Sequence, residues 1–425
     1  MTERSHIVIV GGGFGGLAVA RKMSRYDVQI TLIDRRNFHL FQPLLYQVAT
    51  GSLSPANISV PLRAMFKKNK NIEVLLGEVT EIDVSTNTVG MGCGKRVQYD
   101  YLIVAAGSSH NYFGHTEWSS FAPGLKTVED AIEIRRKVLS AFERAELETD
   151  PVTQRDAMRF VVIGGGPTGV ELAGALGEIA HQTLRGNFRH IDPSAAEIIL
   201  LEGSSILNGY SPDLVEKTRG ALRRLGVTVR EGTTVKEVSK DRVVVERAGT
   251  REEIHSSCIV WAAGVQASGL GKVLSQQTGA SIDRAGRILV RPDLSLPHHP
   301  NVFVIGDLAQ IVQDGKPVPG VAPAAMQSGE YVADVIRLRI EHPEVEPQPF
   351  RYVDKGSMAT VGRSFAVVQL RRLRFSGFSA WIVWLWVHIL YLTQFTNRLL
   401  VVIQWAWNYF TRNRSARIIT SSAGA

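Results

Sequence analysis

Two glycine turns and two carboxylates carry the chemistry most plainly written in this chain. The first turn is Gly11-x-Gly13-x-x-Gly16, with Phe14 and Gly15 inside it, and the second is Gly164-x-Gly166-x-x-Gly169. Each follows an apolar run, His6-Ile7-Val8-Ile9-Val10 in one case and Phe160-Val161-Val162-Ile163 in the other. Each run reads as a buried parallel strand that enters a tight turn and then a helix. Glycine lets the backbone come close to a pyrophosphate, and the helix N-terminus supplies unpaired N–H groups and a positive dipole end. A further strand follows each turn, ending at Asp34 and at Glu202. A carboxylate there accepts hydrogen bonds from ribose hydroxyls and repels a 2′-phosphate; the plainer reading is a surface acid at a strand end. Two such units in one chain predict two dinucleotides held face to face, which is an arrangement for passing electrons.

The residues around the acids suggest which dinucleotides. Glu202 has no Arg or Lys immediately after it, which favours NADH over NADPH. Asp34 is followed by Arg35 and Arg36. In chains with two such folds the N-terminal one usually holds FAD, and an arginine there can pack on adenine. Glu171 lies two residues past the last glycine of the second turn, in the first turn of its helix. Simple dipole stabilisation would explain an acid at that point. It also places negative charge beside a negative ligand, a cost that makes sense if the side chain turns towards the nicotinamide and flavin rings.

The elements that must position these groups make an α/β protein of two Rossmann-like dinucleotide-binding domains and a C-terminal helical segment. By motif the chain divides into 1–154 and 266–350 for an FAD-binding domain, 155–265 for an NADH-binding domain, and 351–425 for a membrane-anchoring segment. An internal echo supports the pairing. One apolar strand ends Ala105-Ala106-Gly107 and another ends Ala262-Ala263-Gly264. A third such strand, from Asn301, ends in Gly306-Asp307, so the chain is expected to return and complete the FAD domain. In flavin enzymes built this way such an aspartate bonds the ribityl or pyrophosphate part of FAD, although Gly-Asp is also a common turn pair.

At 425 residues, with 44% hydrophobic content and 39 glycines, the chain can bury two or three cores. The first strand begins within six residues of the start, so no signal peptide is expected. The two cysteines, Cys93 and Cys258, form no C-x-x-C pair, which excludes a redox-active dithiol; no Cys/His cluster has metal-ligand spacing, so no metal is expected. Charge is concentrated at one end. Residues 351–425 hold ten Lys/Arg and one acid, a net of +9 against +8 for the whole chain. Five of the seven tryptophans lie in the same segment. Basic residues flanking Trp-rich apolar stretches suit an anionic membrane surface, and the aromatics are not interleaved with charge as nucleic-acid binding would need. The uncharged stretch 375–397 is long enough to span a bilayer, but it carries several polar residues. Arginines lie on both sides, at 371–374 and 412–417, so two helices lying on the membrane are expected rather than a span. A buried homodimer interface is the alternative that the same clustering leaves open.

At this point the chain resembles the type II NADH dehydrogenases, single-subunit NADH:quinone oxidoreductases that pump no protons. The resemblance rests on Gly11 to Gly16, on Asn37-Phe38-His39-Leu40-Phe41-Gln42-Pro43-Leu44-Leu45-Tyr46-Gln47, on Gly164-Gly165-Gly166-Pro167-Thr168-Gly169-Val170-Glu171-Leu172-Ala173-Gly174, on Gly306-Asp307 and on the Trp-rich basic C-terminus. It implies non-covalent FAD, hydride transfer from NADH, and a lipid quinone (ubiquinone or menaquinone) reached from the membrane at its cytoplasmic face. It also implies that Val79, Ala106, Gly107, Gly264 and Ala324 belong to the cofactor sites, and that Glu171, Gln327 and Lys355 serve the reaction. Gln327 matches the second glutamine of a family motif, whereas Pro323 replaces the first. A cation at Lys355 would stabilise a reduced flavin or a quinol oxyanion; a solvated surface lysine is the plainer reading. The alternatives are a flavin reductase of a soluble acceptor and an NADH-sensing flavoprotein with slow turnover.

Overall fold

The computed structural model describes residues 4–411, 413–414 and 416–419. Its contacts divide the chain into two units, one of residues 1–40, 59–109 and 265–355 and one of residues 41–58, 110–264 and 356–425. This division by contact differs from the division by motif. Residues 41–58, 110–154 and those from 356 on group with the second glycine turn, whereas 351–355 stay with the first.

In the first unit the strands His6–Val10, Gln29–Asp34 and Ile72–Leu76 lie parallel in sequence order on one side of the sheet. Tyr101–Val104 pairs on the other side of His6–Val10, and His299–Val304 pairs with Tyr101–Val104, both parallel. The returning chain therefore extends the same sheet, and a short antiparallel strand, Ser295–Leu296, closes its edge. The central strand is buried throughout its apolar stretch, as a sheet covered on both faces requires. On one face the helix Phe14–Met23 packs against Ala322–Glu341 at glycine distance. A Cβ on Gly329 would collide with the Gly15 carbonyl oxygen.

The second unit holds a four-stranded parallel sheet in the order Val227–Arg230, Glu197–Leu201, Arg159–Ile163, Cys258–Trp261. Its glycine-turn helix runs Pro167–Glu178, with proline at the first turn, where its missing N–H costs nothing. The C-terminal segment adds an antiparallel sheet, Ser357–Thr360, Ala366–Leu370 and Leu373–Gly377, followed by helices Phe378–Tyr391 and Phe395–Thr411. The uncharged stretch 375–397 is thus divided between a strand and two helices, with a break at 392–394. No helix among the described residues is long and apolar enough to cross a membrane.

These two helices are sorted by side. On the first, Ala380, Trp384 and His388 face inward at helical spacing, and Phe378, Trp386 and Leu390 face out. On the second, Asn397 and Val401 are buried and Trp405 and Asn408 bond inward, whereas Phe395, Leu399, Ile403, Trp407 and Phe410 are exposed. Phe395 is 78% exposed and Phe410 81%. An outward face this apolar is unusual for a surface bathed by water.

Candidate functional site

Both glycine turns have the geometry of a pyrophosphate cradle. Gly11 and Gly164 sit at φ of +106° and +110°, where a side chain is strained. A Cβ on Gly16 would run into the Gly11 carbonyl oxygen, and one on Gly169 into that of Gly164. Gly13 and Gly166 have open space beside them, room that a bound phosphate would use. The strand-end acids occupy matching positions. Gly12 N–H donates to Asp34 Oδ2 at 2.5 Å, and Gly165 N–H donates to Glu202 Oε2 at 2.7 Å. Arg36 N–H also donates to Asp34, and Ser204 N–H and hydroxyl donate to Glu202. Burial pushes the Asp34 carboxyl up, against the pull of these bonds and of Arg36 and Arg35.

The residues of the first unit fit a flavin dinucleotide. Gly306 takes φ of +66°, and Asp307 accepts a hydrogen bond from the Ser108 hydroxyl at 2.6 Å. Ala106 and Gly107 stand at the end of their strand, Gly107 at φ +65°; Val79 opens the buried side of a small antiparallel sheet, and Ala324 is buried in the first turn of Ala322–Glu341. The sequence reading missed His39. It is buried beside the glycine turn, its Nδ1–H donates to the Gly12 carbonyl at 2.9 Å, and it meets the Phe14 ring edge-on at 5.1 Å. Burial lowers it to about 4, so it is neutral, and Nε2 is left as a buried acceptor with no partner among the described residues. A sugar hydroxyl of a bound dinucleotide would satisfy it. His39 lay within the run quoted for the family resemblance, but nothing in its spacing distinguished it from a core histidine.

Gln327 and Lys355 belong to this first unit. The Gln327 amide is spent on backbone: its Nε2 donates to the Val353 carbonyl and its Oε1 accepts from Val353 N–H. It straps the segment that carries Lys355, which is exposed. Glu171 is in the second unit, with Gly264 (φ +69°) and Glu202. Its carboxyl is buried and accepts from Thr360 N–H at 3.3 Å. Burial raises it to about 8; the nearby Trp384 indole pulls the other way without closing a hydrogen bond of ordinary geometry. Glu171 is therefore neutral at pH 7, which removes the charge conflict expected beside a pyrophosphate.

Next to Glu171 the second unit contains a pocket of about 80 Å³ that sequence reasoning did not anticipate. Its walls include Tyr46 and Gln47, Ala175 and Glu178 of the glycine-turn helix, Thr360, and Trp381, Trp384 and Trp405 of the C-terminal helices. The polar groups are linked. Trp405 Nε1–H donates to Gln47 Oε1 at 2.7 Å, and Gln47 Nε2–H donates to the Tyr46 hydroxyl at 3.0 Å. Burial, with Glu171 next in importance, keeps the Tyr46 phenol well above its ordinary value, so it stays a neutral hydroxyl. Arg414 donates to Glu178 at 2.8 Å and to the Thr50 carbonyl, with both charged side chains buried. Flat aromatic walls around a few hydrogen-bonding groups suit a flat ring with polar edges.

Cys93 is exposed and Cys258 buried, in different units, and burial pushes the Cys258 thiol up to about 12, far from a reactive thiolate. Among the described residues no three or more His, Cys, Asp or Glu side chains gather as they would around a metal ion.

Comparison with known proteins agrees with this geometry. Residues 5–329 match the family model described as pyridine nucleotide-disulphide oxidoreductase. The chain is 44% identical to the type II NADH:quinone oxidoreductase Ndh of Mycobacterium tuberculosis over 98% of its own length and 91% of the relative's. It is 29% identical to the type II NADH:quinone oxidoreductase of Haemophilus influenzae, covering 86% of this chain and 87% of that one. The solved structure of NDH2 from Plasmodium falciparum in complex with NADH shares the fold, with a TM-score of 0.89 over 99% of this chain and all of that one, at 20% identity. A sulfide:quinone oxidoreductase from Aquifex aeolicus shares it less closely, with a TM-score of 0.73 over 98% of this chain and 93% of that one. Two glycine cradles, no dithiol, and near full-length likeness to these enzymes place the chain in the pyridine nucleotide-disulphide oxidoreductase family, among the type II NADH:quinone oxidoreductases.

Proposed function

We propose that this chain passes two electrons from NADH, through non-covalently bound FAD, to a lipid quinone, and moves no charge across a membrane. The observation that carries the reading is the pair of complete dinucleotide cradles, one in each unit, each with its own strand-end carboxylate. The first unit would hold FAD through Gly11 to Gly16, Asp34, His39 and Asp307. The second would hold NADH through Gly164 to Gly169 and Glu202, whose carboxylate accepts from ribose and repels a 2′-phosphate. When bound, FAD supplies the hydride-accepting and electron-donating chemistry.

The chain's own groups handle position and protons. The aromatic pocket of the second unit admits the quinone from the side of the C-terminal helices, and the Tyr46 hydroxyl and Gln47 amide orient it. Reduction of a quinone by two electrons takes up two protons. Glu171, protonated up to about pH 8 and bonded to Thr360 of the pocket wall, is a stored proton beside it. Gln327 holds the irregular segment that presents Lys355, a cation available to a developing negative charge. The outward apolar faces of the two C-terminal helices rest in the membrane surface, on the cytoplasmic side where NADH is supplied.

Steady-state NADH oxidation by the yellow, FAD-containing protein in vesicles tests this. We expect turnover with a long-tailed quinone, at a rate comparable to that with ferricyanide, and no acidification of the vesicle lumen. Turnover with ferricyanide or a small iron–sulfur protein but not with quinone would identify a soluble-acceptor reductase instead.

A further inference from the structure

The ten basic residues of the C-terminal segment look interchangeable in the sequence, but the structure sorts them. Arg363 is held by Gln182 and by the carbonyls of Asn408 and Tyr409. Arg398 caps the end of the first C-terminal helix through the carbonyls of Leu390 and Leu392. Arg414 is buried on Glu178, and Arg417 bonds Asn413 and the Arg414 carbonyl. Arg351 pairs with Asp314 in the first unit. Lys355 is exposed in the first unit, apart from the C-terminal helices in the chain's division by contact, and Arg412 lies outside the described residues. The cations expected on the far side of the helices are, where described, spent on the protein itself.

Three arginines differ. Ala366–Leu370 and Leu373–Gly377 form a hairpin in which Leu370 pairs with Leu373, so Arg371 and Arg372 are its two-residue turn and Arg374 is one step further. All three are exposed, and among the described residues none of their side chains makes a hydrogen bond or ion pair. Arg371 takes φ of +50°, a turn position that glycine or asparagine would fill with less strain. Leu370 and Leu373, beside the turn, are 40% and 58% exposed. The second strand runs directly into the helix that starts at Phe378, itself exposed. The tip therefore offers two leucines among three free guanidinium groups, on a strand that leads into the first of the two helices.

We propose that this hairpin is a separate membrane-reading element. Its leucines enter the headgroup region and its three arginines bind anionic lipid phosphates, so that nearly all of the chain's charge-dependent attraction to a bilayer comes from residues 370–374. The proposal rests on the membrane-surface reading above and divides the labour within it. The helices supply charge-independent apolar burial, and the hairpin supplies selectivity for anionic lipid. Charge complementarity decides the occupant, since an arginine near an anionic bilayer gains about as much from it as any surface cation can.

Binding of the full-length flavoprotein to vesicles of pure phosphatidylcholine and of phosphatidylcholine with 30% phosphatidylglycerol, added to roughly that level to create the negative surface potential in question, tests it. The unmodified protein is expected to bind both and to prefer the anionic vesicles, with a preference that fades as salt is added. The triple variant Arg371→Gln, Arg372→Gln, Arg374→Gln should lose on the order of a hundredfold in partitioning to anionic vesicles, from three such contacts. Its binding to neutral vesicles should stay within about twofold, and its salt dependence should vanish. Leu370→Ser with Leu373→Ser should weaken binding to both vesicle types by similar factors. NADH oxidation with ferricyanide should be unchanged in both variants, which shows that they are folded. Retained anionic preference in the triple variant, or an equal loss on neutral vesicles, would overturn the hairpin's role. Failure of the unmodified protein to bind either vesicle would overturn the membrane reading itself.

Discussion

The two glycine cradles make a controlled comparison inside one chain. Their backbones agree closely: the leading glycines share a φ near +110°, the last glycines are equally crowded, and each second glycine N–H is held by the next strand's acid. They differ in what surrounds that frame. In the first unit Phe14 begins the helix and packs edge-on against buried His39, and Gly15 is pressed between Ile305 and Ala325 of the returning chain. In the second unit Pro167 and Thr168 begin the helix and are exposed. The residue two past the last glycine is Ala18 in one helix and Glu171 in the other. The shared frame is what any pyrophosphate requires. The closed surroundings suit a ligand that stays, and the open turn with an ionisable group beyond it suits one that reacts and leaves.

The largest effects should come from filling the crowded glycines. Gly16→Ala forces a methyl group onto a carbonyl oxygen and should cost the first unit at least about 3 kcal/mol of ligand affinity, so the protein is purified with little flavin. Gly169→Ala should leave the protein yellow, with an NADH affinity lowered roughly a hundredfold or more. Absorbance at the flavin band and NADH titration read the two, and a matching loss of flavin in both variants would break the assignment of one cradle to each ligand.

Glu171 should give the next largest effect, and it depends on pH. In the folded protein the carboxyl ionises near pH 8, and in the unfolded chain near 4.5. Between these values the unfolded state gives up its proton while the native state keeps it, so stability falls as pH rises through this window and levels off above it. Glu171→Gln should abolish its contribution to that slope, and the difference between the two proteins should grow by about 4–5 kcal/mol from acid to mildly alkaline pH. Denaturant unfolding across that range measures it. A slope unchanged in the variant would mean that the acid is not buried neutral.

The smallest effect distinguishes the two acids. Glu202→Ala should narrow the preference for NADH over NADPH by about 1–3 kcal/mol, whereas Asp34→Ala should leave that preference alone and weaken flavin retention. The ratio of kcat/KM for the two cofactors decides between them. Equal ratios in the unmodified protein would remove the role given to Glu202.

Both cradles were legible in the sequence because their requirements are local. A positive φ, a close approach and a strand-end carboxylate are set within about 40 residues, and each demands a particular residue type at a particular spacing. The return of the chain to the first sheet was legible for the same reason, through an apolar strand ending in Gly306-Asp307. The aromatic pocket was not. It draws on residues 46–52, 175–178, 360–363 and 381–414, and no periodicity in any one of these marks a shared wall. Gln327 looked like a ligand group because a glutamine's partner cannot be read from its neighbours, and here that partner is the Val353 backbone. The arginines after Gly362 looked alike because charge is visible in a sequence and burial of the charge is not.

One feature of the second unit bears on how the chain is made. The short segment 41–58 is tied to the far end of the polypeptide: Gln47 to Trp405, Ser52 to Asn408, Thr50 to Arg414, Gly51 to Ala416, and Ala56 and Asn57 to Asn397. These partners lie between 340 positions apart, for Asn57 and Asn397, and 365, for Gly51 and Ala416. On a ribosome that segment must wait for at least 340 further residues to be translated before its first partner exists. Until then its apolar residues, Leu44, Leu45, Val48 and Ala49, all fully or almost fully buried at the end, have no final place. The first unit also waits, but only for residues up to 355. Synthesis past residue 416, rather than the appearance of either glycine turn, is therefore the event that permits the second unit to close, and a nascent chain stalled before residue 397 would leave the hydrophobic segment 41–58 exposed.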